Sequence, residues 1–287
     1  MKTTCPILGR ATTVEATPYD RNGWRVVRCR EIGLVFLATP PDYRELAETF
    51  AWERTVAAEG VDRRRREPVF STFSSWWKRT RRRLQRSRNR IADLALRRVQ
   101  DRTNRVGAGD VASPLRIVDI GCAGGHRMLD LCDRFARHGR DVVPTGIEIS
   151  TSLAAIASPR FEAKGGRVLA CSAVDGAARL EARSIDLVVM SAFLEHEARP
   201  RDLLATLRDS LSEGACIVLK VPNFASWNRL IRGRRWCGFR YPDHVSYFTP
   251  ATLARLASET GYRVLPSTWG DGMPLSDNMY ATLASDR

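Results

Sequence analysis

Two acidic residues at matching places in successive apolar strands are the sequence's first chemical signal. Leu115-Arg116-Ile117-Val118-Asp119-Ile120 reads as a short buried strand that runs directly into Gly121-Cys122-Ala123-Gly124-Gly125 and then a helical pattern. Glycines between a strand and a helix let the main chain approach a ligand closely, and the first helical turn presents N–H groups with no partner inside the helix. The spacing is G-x-x-G-G, not the G-x-G-x-x-G of dinucleotide phosphate loops. A carboxylate beside the loop, Asp119, disfavours a pyrophosphate and suits a ligand carrying an ammonium group. Glu148 lies 23 residues after Gly125, at the end of the second strand. A carboxylate there can accept hydrogen bonds from both hydroxyls of a ribose. The plainer alternative is that both acids only cap the helices that follow them.

These residues need a scaffold, and the chain supplies one. Apolar runs at 115–120, 141–148, 167–171, 185–190 and 215–220 alternate with helical patterns, and a helix over 249–260 precedes strands at 262–269 and 278–284. Alternation of this kind implies right-handed crossovers and a parallel sheet covered on both faces. The predicted fold is α/β: a doubly wound, Rossmann-like, seven-stranded sheet, mostly parallel with one antiparallel strand, plus a small N-terminal β/helical appendage. In such sheets the ligand binds at the carboxyl ends of the strands. Composition divides the chain into an N-terminal region 1–58, an arginine-rich amphipathic helical segment 59–110, and the α/β domain 111–287.

Residues 115–221 resemble a class I S-adenosylmethionine-dependent methyltransferase, of the broad group that includes the ubiquinone-pathway O-methyltransferases. The resemblance rests on Val118-Asp119-Ile120-Gly121-Cys122-Ala123-Gly124-Gly125, Gly146-Ile147-Glu148, Phe193-Leu194-Glu195-His196, and Leu211-Ser212-Glu213-Gly214 leading into Ile217–Asn223. It continues through Trp236, Pro242-Asp243-His244 and Tyr247-Phe248-Thr249 to Gly261-Tyr262. One departure is Ala123, where the family's G-x-G-x-G carries its middle glycine. The resemblance implies S-adenosyl-L-methionine as cofactor, with Asp119, Gly121 and Ala123 lining its methionine portion. Cys122 and Gly125 complete the loop, Glu148 and Ile149 hold ribose and adenine, Ser172 and Ala173 meet the adenine amino group, and Ser191 faces the sulfonium.

Methyl transfer from a sulfonium is an in-line displacement, so the protein mainly aligns the acceptor and removes a proton when that acceptor is a hydroxyl. The chain has four histidines, at 126, 138, 196 and 244. His126 and His138 fall near the ends of the glycine-loop helix and read as surface residues. His196, just past the fourth strand, and His244, in an aromatic stretch, are the candidate catalytic residues; the alternative for each is a structural hydrogen bond. Some relatives hold a divalent metal through E-x-x-E-H, but Ala192 stands at the first position here, and no metal is expected.

Charge is concentrated in one place. The formal net charge is +14, and residues 63–105 hold sixteen basic against three acidic residues, so that segment carries +13 of it. Residues 70, 73, 77, 80, 84, 87, 91 and 94 fall on one helical face while arginines crowd the rest. The readings are a solvated face on the domain core, a helix lying on an anionic membrane surface through residues 70–98, and, third, nucleic-acid binding. Seven widely spaced cysteines with no C-x-x-C pair argue against a disulfide framework. Cys5-Pro6-Ile7-Leu8-Gly9 and Cys29-Arg30-Glu31-Ile32-Gly33 resemble a zinc ribbon that has lost one cysteine of each pair, so a zinc-free hairpin is expected. No apolar run approaches a membrane span and the N-terminus lacks a secretory h-region, so the expectation is a cytoplasmic protein, with peripheral contact at the inner membrane face in the lipid reading.

The sequence therefore predicts transfer of a methyl group to a hydroxyl of a small molecule, a quinone precursor or a lipid-linked glycan. The alternatives are an RNA methyltransferase gripping phosphate through the basic helix, or a cofactor-binding adaptor without chemistry.

Overall fold

Strands that are apolar on both sides must be covered on both sides, and the chain spends its helices doing so. The computed structural model describes residues 1–43, 45, 89–106, 113–266 and 271–286. Four short strands come first: β1 (Lys2–Thr4), β2 (Ala11–Ala16), β3 (Val26–Cys29) and β4 (Val35–Leu37). Helix α1 (Arg90–Val106) leads into β5 (Leu115–Ile120), α2 (His126–Arg137), β6 (Val142–Glu148), α3 (Thr151–Glu162) and β7 (Arg167–Ala170). Next are α4 (Ala173–Ala178), β8 (Ile185–Ser191), α5 (Pro200–Ser210) and β9 (Leu211–Pro222). The chain ends with α6 (Trp227–Arg232), β10 (Ser246–Tyr247), α7 (Pro250–Glu259), β11 (Tyr262–Val264) and β12 (Asn278–Ser285).

The main sheet has seven strands in the order β11-β12-β9-β8-β5-β6-β7. The pairs β5–β6, β5–β8, β6–β7 and β8–β9 are parallel, while β12 runs antiparallel to both its neighbours. This is the predicted doubly wound sheet with its single reversed strand. Side chains alternate between two cores along each strand. Val118, Ile120, Val188 and Met190 join the layer under α5 and α7, whereas Ile117, Leu187 and Val189 join the layer under α1 and α2. Burial of such side chains contributes roughly 1.5–3 kcal/mol each, and the period of two lets one strand serve both layers.

The N-terminal strands form an antiparallel sheet that β10 completes through Ser246↔Phe36 and Tyr247↔Val35. Its apolar residues Cys5, Ile7 and Leu8 belong to the same cluster as Leu203, Leu207 and Leu253, so this sheet packs directly on the α5–α7 face. The two half-motifs adopt the same turn. The N–H of Gly9 donates to the Cys5 carbonyl at 2.9 Å and that of Gly33 to Cys29 at 2.8 Å, both glycines with positive φ. Between them Cys5 and Cys29 are fully buried, and Leu8 and Ile32 pack where further thiols would be needed. Burial pushes the Cys5 thiol up to about 11, and Leu8 and Ile32 leave two cysteines where tetrahedral zinc needs four ligands. Prolonged chelation is therefore expected to leave the melting temperature unchanged; a fall of several degrees together with released zinc contradicts a zinc-free ribbon.

Of the arginine-rich segment 59–110, residues 59–88 and 107–110 lie outside the described residues, as does most of the 70–98 face assigned to a membrane. The described part, α1, packs on β8, β9, β12 and α2 with Ile91, Ala92, Leu94, Ala95 and Val99 buried. Several of its arginines are tied inward: Arg90 to Asp271 at 2.6 Å, Arg102 to Asp186 at 2.5 Å, and Arg98 to the Pro266 carbonyl. Over residues 90–106 the helix therefore lies on the domain core, as the first reading has it, but Arg90, Arg98 and Arg102 are engaged there instead of forming a solvated face, and Arg97 is exposed.

Candidate functional site

The glycine loop is held from the neighbouring strand. The Gly121 N–H donates to the Ile147 carbonyl at 2.8 Å, and Gly125 closes the turn onto the Cys122 carbonyl at 2.9 Å. Gly121 has φ +72°, and a Cβ built there would lie 2.5 Å from Cδ2 of Phe193, so both conformation and space call for glycine. Gly121→Ala is expected to destabilise the fold by about 2 kcal/mol, read as a melting shift of about 5 °C. An unchanged melting curve contradicts that packing.

Ala123 sits at φ +46°, in the region where the family's glycine is at ease and an L-residue carries about 1 kcal/mol of strain. What fixes it there is Glu148, whose Oε2 accepts the Ala123 N–H at 2.8 Å while Oε1 accepts the Ser150 N–H at 2.9 Å. The β6 carboxylate thus ties the loop to the start of α3. Cys122 turns its thiol away, against Phe161 and over Gly146, leaving its main chain in the loop. Ser172 caps α4 by accepting the Asp175 N–H at 3.2 Å, with Ala173 buried behind it and Ile149 half-buried beside Glu148.

A cavity of about 390 Å³ opens at the carboxyl ends of the strands, roofed by residues 89–92. Asp119 and Ser191 line it, together with Arg127, Lys220 and Tyr280, which sequence reasoning passed over. Registers explain the grouping: Ser191 of β8 pairs with Lys220 of β9, and Lys220 with Tyr280 of β12. Burial pushes the Asp119 carboxyl up to about 7, with Arg127 opposing the shift and Glu148 adding to it. Burial lowers Lys220, and Arg127 lowers it further. Arg127 donates to the Ser191 hydroxyl and so spans the cavity beside Asp119. A lone lysine ending the apolar run Ile217-Val218-Leu219 was the one available signal for this wall.

The two candidate catalytic histidines meet. His196 and His244 lie edge to face with ring centroids 4.7 Å apart. His244 Nδ1 is 2.7 Å from the Gly238 carbonyl, so that nitrogen carries the proton and Nε2 keeps its lone pair. Burial lowers His196 to about 4, with Arg240 in the same direction, and burial likewise lowers His244 well below the ordinary histidine value. Both rings are neutral at physiological pH. Glu195 completes the group: its Oε1 is 4.0 Å from His196 Nε2, and its Oε2 has no hydrogen-bond partner among the described residues. Burial raises Glu195 to about 7, while Lys220 and Arg240 pull it down, and Lys220 thereby couples this cluster to the cavity. Glu195, His196 and His244 could present three ligand atoms within 4.8 Å of one another, a closeness the missing residue at 192 did not anticipate. His126, at the start of α2, and His138, just past its end, are exposed.

A family model described as a methyltransferase domain matches residues 76–267. No curated protein matches the chain. Similar solved structures include a SAM-dependent methyltransferase from Archaeoglobus fulgidus, 24% identical over 57% of this chain and 68% of that one, with a TM-score of 0.41. The YcgJ protein from Bacillus subtilis is 18% identical over 55% of this chain and 66% of its own, TM-score 0.42. The CurJ carbon methyltransferase is 20% identical over 60% of this chain, TM-score 0.44, and the chain spans 48% of its length. With the domain model covering most of a sheet ordered β7-β6-β5-β8-β9-β12-β11, the chain belongs to the class I S-adenosylmethionine-dependent methyltransferases.

Proposed function

We propose that this methyltransferase modifies a hydroxyl of a small molecule, a phenolic quinone precursor or a glycan, with lipid-linked forms included. What carries the reading is the neutral pair of the half-buried His196 and the buried His244 beside the strand ends: a hydroxyl acceptor must lose a proton, and a neutral imidazole can take it. S-adenosylmethionine, when bound, supplies an electrophilic methyl group on a neutral leaving group. Everything else falls to this chain's own residues.

The residues present suit that cofactor. Asp119 is a buried carboxylate at the cavity wall, the partner an ammonium group requires. A carboxylate has about four acceptor positions, so Glu148 can share a ribose with the loop N–H groups it holds. Gly121, Cys122, Ala123 and Gly125 offer main chain, Ser172, Ala173 and Ile149 form the adenine side, and Ser191 faces the sulfonium. Arg127 and Lys220 make the cavity cationic and stabilise an acceptor oxygen as it becomes an anion.

The test has two readouts. With a labelled methyl donor, label is expected on hydroxyls of phenols or sugars; transfer only to amines or to RNA contradicts the reading. Affinity for S-adenosylhomocysteine should also depend on pH through Asp119. The acid is protonated below about 7 in the free protein, and its anion pairs with the ligand's ammonium. Affinity is therefore full above about 7 and falls toward tenfold per pH unit below it, and Asp119→Asn flattens the curve. A pH-independent affinity in the parent protein removes Asp119 from the site.

A further inference from the structure

Helix α6 wears its apolar side outward. Trp227, Leu230 and Ile231 recur at helical spacing on one face and are 53%, 60% and 85% exposed. The other face is tethered: Asn228 Nδ2 donates to Asp277 at 2.7 Å, and Arg229 Nε donates to the Phe224 carbonyl at 2.7 Å with its guanidinium over the Phe224 ring. The Trp227 N–H donates to the Pro274 carbonyl, which sets the 65% exposed Leu275 beside the helix. Fixing such a helix with its apolar face in water is unfavourable unless something covers that face.

Charge says what. Residues 223–242 contain five arginines and no acidic residue. Arg234 and Arg235, in the turn directly after α6, are exposed. The apolar set is three side chains on one short helix with Leu275 of a neighbouring loop beside them, far short of the roughly 800 Å² per partner that a stable protein interface needs. Shallow insertion of a tryptophan and two aliphatic side chains, ringed by arginines, is what an anionic bilayer surface accepts. We infer that α6 and the turn after it dock this enzyme on an anionic lipid surface, with Trp227, Leu230 and Ile231 entering the headgroup boundary and Arg234 and Arg235 meeting lipid phosphates.

The position fits a use. α6 follows β9, whose Lys220 lines the cavity, so docking through α6 brings the cavity's edge of the sheet to the lipid surface. The inference does not depend on which hydroxyl is methylated. It concerns a different element from the arginine-rich 63–88 stretch, which could bind anionic vesicles by charge alone.

Sedimentation of the full chain with phosphatidylcholine vesicles, with and without phosphatidylglycerol, separates the possibilities. Binding is expected only with the anionic lipid. Trp227→Ser with Ile231→Ser should weaken it at least about tenfold at unchanged melting temperature. Arg234→Glu with Arg235→Glu should weaken it comparably and flatten its dependence on salt. No sedimentation of the parent chain overturns the inference, and so does equal binding by the Trp227/Ile231 variant. If that variant instead turns a dimer into a monomer by light scattering with vesicle binding intact, the face belongs to a second copy of this chain. None of these results bears on cofactor affinity, so failure here is distinct from failure of the methyltransferase reading.

Discussion

Glu148→Ala is expected to weaken S-adenosylhomocysteine binding about a hundredfold in calorimetry. Two effects combine. The first is the direct loss of a carboxylate placed for the ribose hydroxyls; two charge-assisted hydrogen bonds at about 1.5 kcal/mol each amount to about 3 kcal/mol, or about two decades in Kd. The second is the loop itself. Glu148 holds the Ala123 N–H at 2.8 Å and the Ser150 N–H at 2.9 Å. Ala123 sits at φ +46°, which it keeps only while something over-determines it. Without the carboxylate the loop is free to relax away from its ligand-ready shape. Glu148→Gln separates the effects: it retains volume and one acceptor oxygen, but its amide nitrogen faces an N–H donor, so intermediate affinity is expected. Pairing Glu148→Ala with Ala123→Gly, which removes the strain at that residue, should leave the ribose loss in place. Native affinity in Glu148→Ala would place the nucleoside elsewhere.

The parts of this enzyme that repeat were legible in its sequence, and the parts that converge were not. Asp119 and Glu148 stand out because each lies at or near the end of an apolar run before a helix, and the sheet register then sets them on adjoining strands, with Asp119 opposite Gly146. The strands were legible as short apolar runs of strand length, set between turn residues and helical patterns, and not through a period of two, because most are buried on both faces. Lys220 and Tyr280 become neighbours only through the β9–β12 register, which depends on antiparallel pairing across a long connection. Arg127 looks like any arginine near a helix start until its guanidinium is seen on Ser191. The N-terminal sheet borrows β10 from the far end of the chain through two residue pairs, too short a strand to carry a periodic signal. His244 is similar: the pairing with His196 arises from a tight run of main-chain bonds, including Val245 N–H to the Glu195 carbonyl at 2.8 Å, that no local pattern announces.

That pairing leads to the second large effect. His196→Ala is expected to lower turnover about a hundredfold to ten-thousandfold, the range for removing a general base, while affinity for S-adenosylhomocysteine stays as it was. The split is required because none of the hydrogen bonds described for the glycine loop or Glu148 involves His196. The pH profile distinguishes a base from a packing residue. Burial and Arg240 lower His196 to about 4, so the ring is neutral and able to accept a proton well below the usual histidine range. With acceptor and cofactor saturating, turnover in the parent should hold from about pH 8 down to about 5 and fall only as pH approaches 4. The same depressed value bears on folding: the stability His196 contributes is present above its ordinary value of 6.5 and is lost as pH falls toward 4, because the folded state resists protonating a ring that the unfolded chain protonates readily. Acid inactivation and acid unfolding should therefore approach together in the parent. His196→Gln, which retains a polar side chain without an ionisable ring, should remove this residue's share of the acid instability yet remain slow at every pH. A glutamine variant that is both stable and fully active would make His196 a packing residue and leave proton removal to Lys220 or to the acceptor's own acidity.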